Sequence, residues 1–256
     1  MNLVARLQTY LREVARQQYD AIATPPFTIF CHPSQDLIYF NYAIPDRAVA
    51  GDPQAALSAL RAAFAERGRQ PRFEYIEEFA PELAPALHEA GFVEDARLQL
   101  MVCTPETLRA PAGVPGLVVT PMSPQSSCED GRDYLATARQ GFDPSNVAVP
   151  SESEVEEYLR DASGAFLGRL DGDPAGVAGF MAPIGGVTEV AGIATREAYR
   201  RRGVASVLTA HAARHAFEQG VEIACLSAAD AHAGRVYERV GFRPYATMLF
   251  YLAPAE

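Results

Sequence analysis

Glu189-Val-Ala-Gly-Ile-Ala-Thr195, then Arg196-Glu-Ala-Tyr199, then Arg200-Arg-Arg-Gly203-Val-Ala205-Ser206: this stretch decides how the rest of the chain is read. An apolar run leads through a basic turn into residues 207–218, where apolar side chains recur at helical spacing, so the pattern is strand, turn, helix. The first turn of a helix leaves backbone N–H groups without intrahelical partners, and the helix dipole adds about half a positive charge there. Gly203 has no Cβ and Ala205 only a methyl, so a bulky anion can approach the amides of residues 201–206, with Arg200, Arg201 and Arg202 adding charge at the mouth. A row of amides that long suits a pyrophosphate better than an isolated phosphate.

Two familiar phosphate motifs, G-x-x-x-x-G-K-[ST] and G-x-G-x-x-G, are absent. The R-x-x-G-x-A turn between strand and helix instead resembles the acyl-CoA-binding motif of the GNAT superfamily of N-acetyltransferases, [QR]-x-x-G-x-[GA]. A second stretch agrees with it. Val221-Glu-Ile-Ala-Cys-Leu-Ser-Ala228 reads as a buried strand, and Asp230-Ala-His-Ala233-Gly-Arg-Val-Tyr237-Glu-Arg-Val-Gly241-Phe242 follows. The family has a strand, then N-x-x-A-x-x-x-Y, then Gly-Phe; the match runs through Ala233, Tyr237, Gly241 and Phe242 and departs at Asp230, where an Asn is usual. The resemblance covers residues 117–256. It implies that acetyl-CoA is held by Ile193, Ala194 and Thr195 along the strand, by Arg200, Arg201, Arg202, Gly203, Val204, Ala205 and Ser206 at the turn, and by Asp230 and Tyr237. Gly192 within the strand is explained by a bulge, a close approach or simple packing.

Acyl transfer to an amine requires that an ammonium lose a proton, that the developing oxyanion be stabilised and that the departing thiolate be protonated. Tyr237 stands at the family's leaving-group position, where it either donates to the sulfur or packs in the core. Glu189 begins the central strand and either takes the amine proton, directly or through water, or is a surface carboxylate at the strand end. Cys225 lies in an apolar strand and reads as a buried thiol. His211 and His215 lie four apart but lack the glutamate of H-E-x-x-H, and no metal site is expected. His232 reads as a solvated loop residue, and the absence of G-x-S-x-G argues against a serine hydrolase.

Earlier in the chain, residues 2–21 place Leu3, Leu7, Tyr10, Leu11 and Val14 on one helical face. A hairpin of strands 27–31 and 37–43 is expected next, then a helix over 54–66, a strand over 72–79, a helix over 82–90 and a strand over 98–103. Residues 104–116, rich in Pro and Gly, form the linker. Beyond it, a strand from Val118, a helix over 123–141, an irregular loop over 142–150, a helix over 152–160 and strands at 165–170 and 175–181 precede the anion turn, and a strand at 247–252 closes the chain. The order of elements repeats between halves: Ala90-Gly91-Phe92 matches Val240-Gly241-Phe242, and each is followed at the same distance by an apolar strand. Where the first half should have its anion turn it has Asn41-Tyr-Ala-Ile-Pro-Asp-Arg-Ala-Val-Ala-Gly-Asp-Pro53, without R-x-x-G-x-A. The expected architecture is α/β with mixed sheets: two GNAT-like domains in tandem, residues 1–108 a degenerate copy that takes no coenzyme and 117–256 the acyl-CoA-binding domain.

Composition sets the bounds. The chain of 256 residues is 48% hydrophobic and carries a net charge of −10, which is unlike a nucleic-acid-binding surface. Four cysteines in no metal or C-x-x-C spacing fit reduced thiols in a cytoplasm. No run reaches the length of a membrane span, and the start of the chain lacks a continuous apolar signal region, so a soluble protein is expected. The resemblance implies an enzyme that moves the acetyl group of acetyl-CoA to a small-molecule amine, with the N-terminal half shaping the acceptor pocket or the surface of a homodimer. Its rivals are a non-catalytic acyl-CoA sensor and a protein N-terminal acetyltransferase with an open peptide groove.

Overall fold

The computed structural model describes residues 2–49 and 51–254. Its elements run α1 (Leu3–Gln18), β1 (Asp20–Thr24), β2 (Phe27–Cys31), β3 (Asn41–Pro45), α2 (Gln54–Ala65), β4 (Arg72–Ile76), α3 (Leu83–Glu89) and β5 (Val93–Cys103). They continue with β6 (Leu117–Pro121), α4 (Cys128–Phe142), α5 (Glu152–Arg160), β7 (Ala165–Leu170), β8 (Asp173–Phe180), β9 (Val187–Thr195), α6 (Val204–Glu218), β10 (Ile223–Ala228), α7 (Ala231–Val240) and β11 (Arg243–Leu252). Short 3-10 turns lie at Ile38–Phe40, Glu77–Phe79 and Glu197–Tyr199. The chain divides into two units, Met1–Leu100 with Pro244–Glu256, and Met101–Arg243.

In the first unit β1, β2 and β3 form antiparallel ladders, and β3 then pairs parallel with β4. β2 is buried along its whole length, with alternate residues facing two cores. Phe27 and Ile29 join Leu57, Leu60 and Phe64 of α2 and Phe73 of β4, whereas Phe30 packs with Ala15 of α1 and Ile44 of β3. The expected helix stops at Gln18, and residues 20–24 form a strand, because the ladder opposite β2 satisfies their backbone groups. The expected strand over 37–43 is replaced by a 3-10 turn and β3: the Asn41 side chain donates to the carbonyls of Gln35 and Leu37 and accepts from the His32 N–H, tying the connection back on itself. The closing strand, expected to complete the second half, lies in this unit. β11 is antiparallel to β4, with Phe250 opposite Glu74.

In the second unit the order is β10-β9-β8-β7-β6, with β6 to β9 antiparallel and β9 parallel to β10. α6 packs on one face: Val204, Leu208, Ala212 and Ala213 meet Ala175, Ala178 and Leu226. Its run of alanines lets helix and sheet approach closely, and truncating Leu208, fully buried there, costs on the order of 2–5 kcal/mol. On the other face Val155 and Leu159 of α5 pack with Met122, Leu167, Val177 and Ala194. α4 begins at Cys128, five residues later than expected, because Ser127 is its N-cap and accepts from the Asp130 N–H at 3.1 Å.

Candidate active site

The turn before α6 is shaped by two left-handed residues. Arg201 has φ +62° and Gly203, the N-cap of α6, has φ +88°. Gly203 is required there, since a Cβ would be strained at that φ and would sit 3.0 Å from Val114 Cγ2. No side chain caps the helix. The first intrahelical bond runs from the Val207 N–H to the Gly203 carbonyl, and among the described residues no acceptor is found for the amides of residues 201–206. Buried helix starts normally find partners, so six successive N–H groups left open at an exposed, basic turn form a site with the polarity and size for a diphosphate.

The three arginines are not equivalent. Arg200 braces the turn, its Nε donating to the Thr195 carbonyl at 3.1 Å and its Nη2 to the Gly141 carbonyl at 2.9 Å. The positive charge expected from its side chain at the mouth is therefore directed at the protein's own carbonyls. Arg202 lies 3.8 Å from Asp171 and 5.9 Å from the Tyr199 ring centroid, and Arg201 has no side-chain partner among the described residues.

The strand that feeds this turn parts from its neighbour. β9 registers with β10 only from Val187 opposite Ile223 to Glu189 opposite Cys225, although β9 runs on to Thr195 and β10 to Ala228. Gly192, at φ +64°, is the extra residue of a bulge between β9 and β8: Val177 faces Ala194 while Gly179 faces Ala191. A Cβ at Gly192 would meet nothing within 4 Å, so backbone conformation rather than packing calls for glycine. Beyond the bulge the Arg196 N–H bonds to the Ala175 carbonyl, so strand alternation turns the backbone groups of Ala194 toward β8 and those of Ile193 and Thr195 toward the gap. Ile193 is half-buried and Ala194 buried; the Thr195 hydroxyl is buried without a partner.

Glu189 is half-buried at the last registered position of the parallel pair. The Cys225 thiol opposite it is fully buried and held far above its usual pKa, first by burial and then by the Glu189 charge, so it is no nucleophile. Tyr237 on α7 packs with the α6 side of the core, and burial, with a smaller contribution from Asp230, pushes its phenol up. It is therefore protonated at neutral pH. Asp230 caps α7, its carboxylate accepting from the Ala233 N–H at 2.8 Å, and this bond holds its carboxyl below the usual range. The departure from Asn is thereby accounted for, since both residues cap helices equally well, and the side chain faces its own helix. Val204 and Ser206 are buried and Ala205 half-buried in the first turn of α6.

A groove of about 560 Å³ beside the turn, lined by Gln140, Pro144, Arg196, Glu197, Ala198 and Tyr199, had no signature in the sequence. It depends on long-range pairs: Arg196 Nε donates to Gln140 Oε1 at 2.7 Å, and the Tyr199 hydroxyl donates to Asp173 at 3.1 Å. Among the described residues no group of three or more His, Cys, Asp or Glu side chains is arranged to hold a metal ion, and no helix is long and apolar enough to cross a membrane.

One α/β unit thus holds a parallel strand pair that splays, a glycine-opened helix with open amides among the described residues, and a half-buried tyrosine on the next helix. Residues 133–242 match the acetyltransferase (GNAT) family. The fold agrees across the chain. A GCN5-related N-acetyltransferase from Kribbella flavida is 29% identical with a TM-score of 0.83, over 100% of this chain and 97% of that one. A GCN5-related N-acetyltransferase from Sphaerobacter thermophilus, 16% identical with a TM-score of 0.66 over 96% of this chain and 86% of its own, shares the fold. So does a tandem GNAT protein from the clavulanic acid biosynthesis pathway, at 14% and 0.62 over 90% and 79%. No curated protein matches the sequence. GNAT acetyltransferases are enzymes, and their fold generally binds acetyl-CoA.

Proposed function

We propose that residues 117–256 carry an N-acetyltransferase site that moves the acetyl group of acetyl-CoA to the amine of a small molecule by direct attack. The observation that carries this reading is the run of open amides at 201–206 at the end of a strand whose free edge turns Ile193 and Thr195 toward a gap. The coenzyme, when bound, supplies the thioester. Residues 201–206 hold its diphosphate, with Arg201 and Arg202 as the charged side chains, and the edge of β9 orients its arm through peptide-like hydrogen bonds. Glu189 takes a proton from the acceptor ammonium, freeing the amine to attack, and Tyr237 gives one to the departing thiolate; nitrogen sheds a second proton as the amide forms, which balances the one gained at sulfur, so that one proton is released overall.

The N-terminal unit is read as a second, degenerate copy. The succession of antiparallel ladders ending in a parallel pair occurs in both units, β1-β2-β3 with β4 and β7-β8-β9 with β10, and a tandem GNAT protein lies among the structural neighbours. An acidic chain with free cysteines suits a cytoplasmic enzyme.

The test is thiol release from acetyl-CoA across a panel of small amines, with product masses identifying the acceptor. Release that depends on the amine supports an enzyme of this class. Coenzyme binding without turnover on any amine or peptide N-terminus points to a sensor, and turnover on peptides alone to a protein N-terminal acetyltransferase.

A further inference from the structure

Gln8 of α1 is fully buried, although a carboxamide placed in a core must satisfy donors and acceptors on both of its ends. Its Oε1 accepts from the Ile76 N–H at 3.0 Å and its Nε2 donates to the Pro45 carbonyl at 3.4 Å. Pro45 and Ile76 are the last residues of β3 and β4, the parallel pair of the N-terminal unit. That pair registers only at Ala43 opposite Phe73, and beyond it one side-chain amide, acting as donor on one side and acceptor on the other, stands where the peptide unit of an intervening chain would stand.

The second unit has the same parallel pair without this device. β9 and β10 contain no Asn or Gln, and the only carboxamide on α4 or α5, that of Gln140, accepts from Arg196 Nε. The second obstacle in the first unit lies at the helix start: Asp52 accepts from the Gln54 N–H at 2.9 Å at the mouth of α2, placing a carboxylate where an anion would need open amides.

We infer that the gap between β3 and β4 is a carboxamide slot occupied in cis by Gln8, which holds the first unit closed as an internally liganded copy and leaves one coenzyme arm per chain. The ligand class of the slot is a primary or secondary amide, the group that a pantetheine-like arm carries. The stoichiometry part of this inference rests on the coenzyme reading of the second unit; the amide bridge does not.

Three measurements on the full chain test it. In calorimetric titration with coenzyme A, one site per chain is expected, abolished by Gly203→Val; two sites, or one site that survives Gly203→Val, would overturn it. Absence of any binding would sink the coenzyme reading and leave the bridge to be judged by the other two. Amide hydrogen exchange is expected to be slow at Ile76, and on the order of tenfold faster in Gln8→Met, which keeps the volume and loses both polar ends; a fast-exchanging Ile76 in the wild type, or no change in Gln8→Met, refutes the bridge. Propionamide at millimolar concentration should raise the melting temperature of Gln8→Ala and not that of the wild type, and equal shifts in both would refute the slot. Should Gln8→Ala not fold, the wild-type exchange rate and the titration decide the matter without it.

Discussion

Two strand-to-helix connections of the same topological kind lead out of the two parallel pairs, and they end in opposite electrostatics. Between β9 and α6 the chain turns through Arg201 and Gly203 in the left-handed region and delivers six amides with no acceptor among the described residues. Between β3 and α2 it passes Pro45 and Pro53, and the helix mouth holds the Asp52 carboxylate on the Gln54 N–H. The ends of the following helices repeat the contrast. The Phe242 N–H bonds to the Tyr237 carbonyl and the Phe92 N–H to the Leu87 carbonyl, with the phenylalanine buried in each case. Position for position, Leu87 stands where Tyr237 stands, so the first unit keeps the helix-end geometry and has no phenol at that position. The same ladders and the same helix termination thus accompany an open, basic turn in one unit and a carboxylate-held helix start in the other.

The sharpest way to break this contrast is to give the open turn a side chain. Gly203→Val puts a β-branched residue at φ +88° against Val114, at a backbone cost of about 1–2 kcal/mol. On the proposed reading the displaced amides are the anion site, and affinity for coenzyme A should fall at least about 100-fold, near 2.7 kcal/mol, by calorimetry. A variant that folds and binds as before would remove the basis for treating this turn as the site.

Tyr237→Phe makes the second unit resemble the first at the position where it differs chemically. Turnover is expected to fall roughly 100-fold with the coenzyme dissociation constant unchanged. The phenol donates only while protonated, and burial raises its pKa above the ordinary value of 10.0, so the wild-type rate should persist to that pH and fall above it. In Tyr237→Phe that alkaline fall should be absent. Steady-state rates from pH 7 to 11 check both the magnitude and the limb.

Smaller effects separate the arginines. Arg201→Ala should weaken coenzyme binding about tenfold, less at high salt, and leave the melting temperature unchanged, since its side chain has no protein partner among the described residues. Arg200→Ala should do the reverse, lowering the melting temperature through loss of two carbonyl contacts and affecting affinity less. Calorimetry and thermal melts on the pair check whether bracing and binding are divided in this way.

Much of the second unit could be read from the chain because its signals are local. The run at 165–170, the helix at 152–160 with its Ser151 capping box, and the R-x-x-G-x-A turn each depend on residues a few positions apart. What could not be read depends on partners far away. Residues 20–24 are a strand only because β2 lies beside them, and β11 finds β4 from a distance of more than 160 residues. The carbonyl that Arg200 Nη2 donates to cannot be read either, since Gly141 lies 59 residues earlier. Gln8 looks like a polar residue on an amphipathic helix, and only its two strand partners reveal it as part of the sheet.

The mildest test concerns helix mouths held by a carboxylate rather than left open. Asp230 accepts from the Ala233 N–H, which depresses its pKa below the ordinary 3.8, so its contribution to stability is present above that value and is lost as the pH falls through the lower folded value. The side chain of Asp230→Asn accepts the same hydrogen bond at every pH. Wild type and Asp230→Asn should therefore melt together at pH 7, and the Asn variant should become the more stable of the two below about pH 3.8, all other titrations being common to both proteins and cancelling in the difference. If the two proteins melt together at every pH, Asp230 is not held by its own helix, and its carboxylate is free to face a ligand.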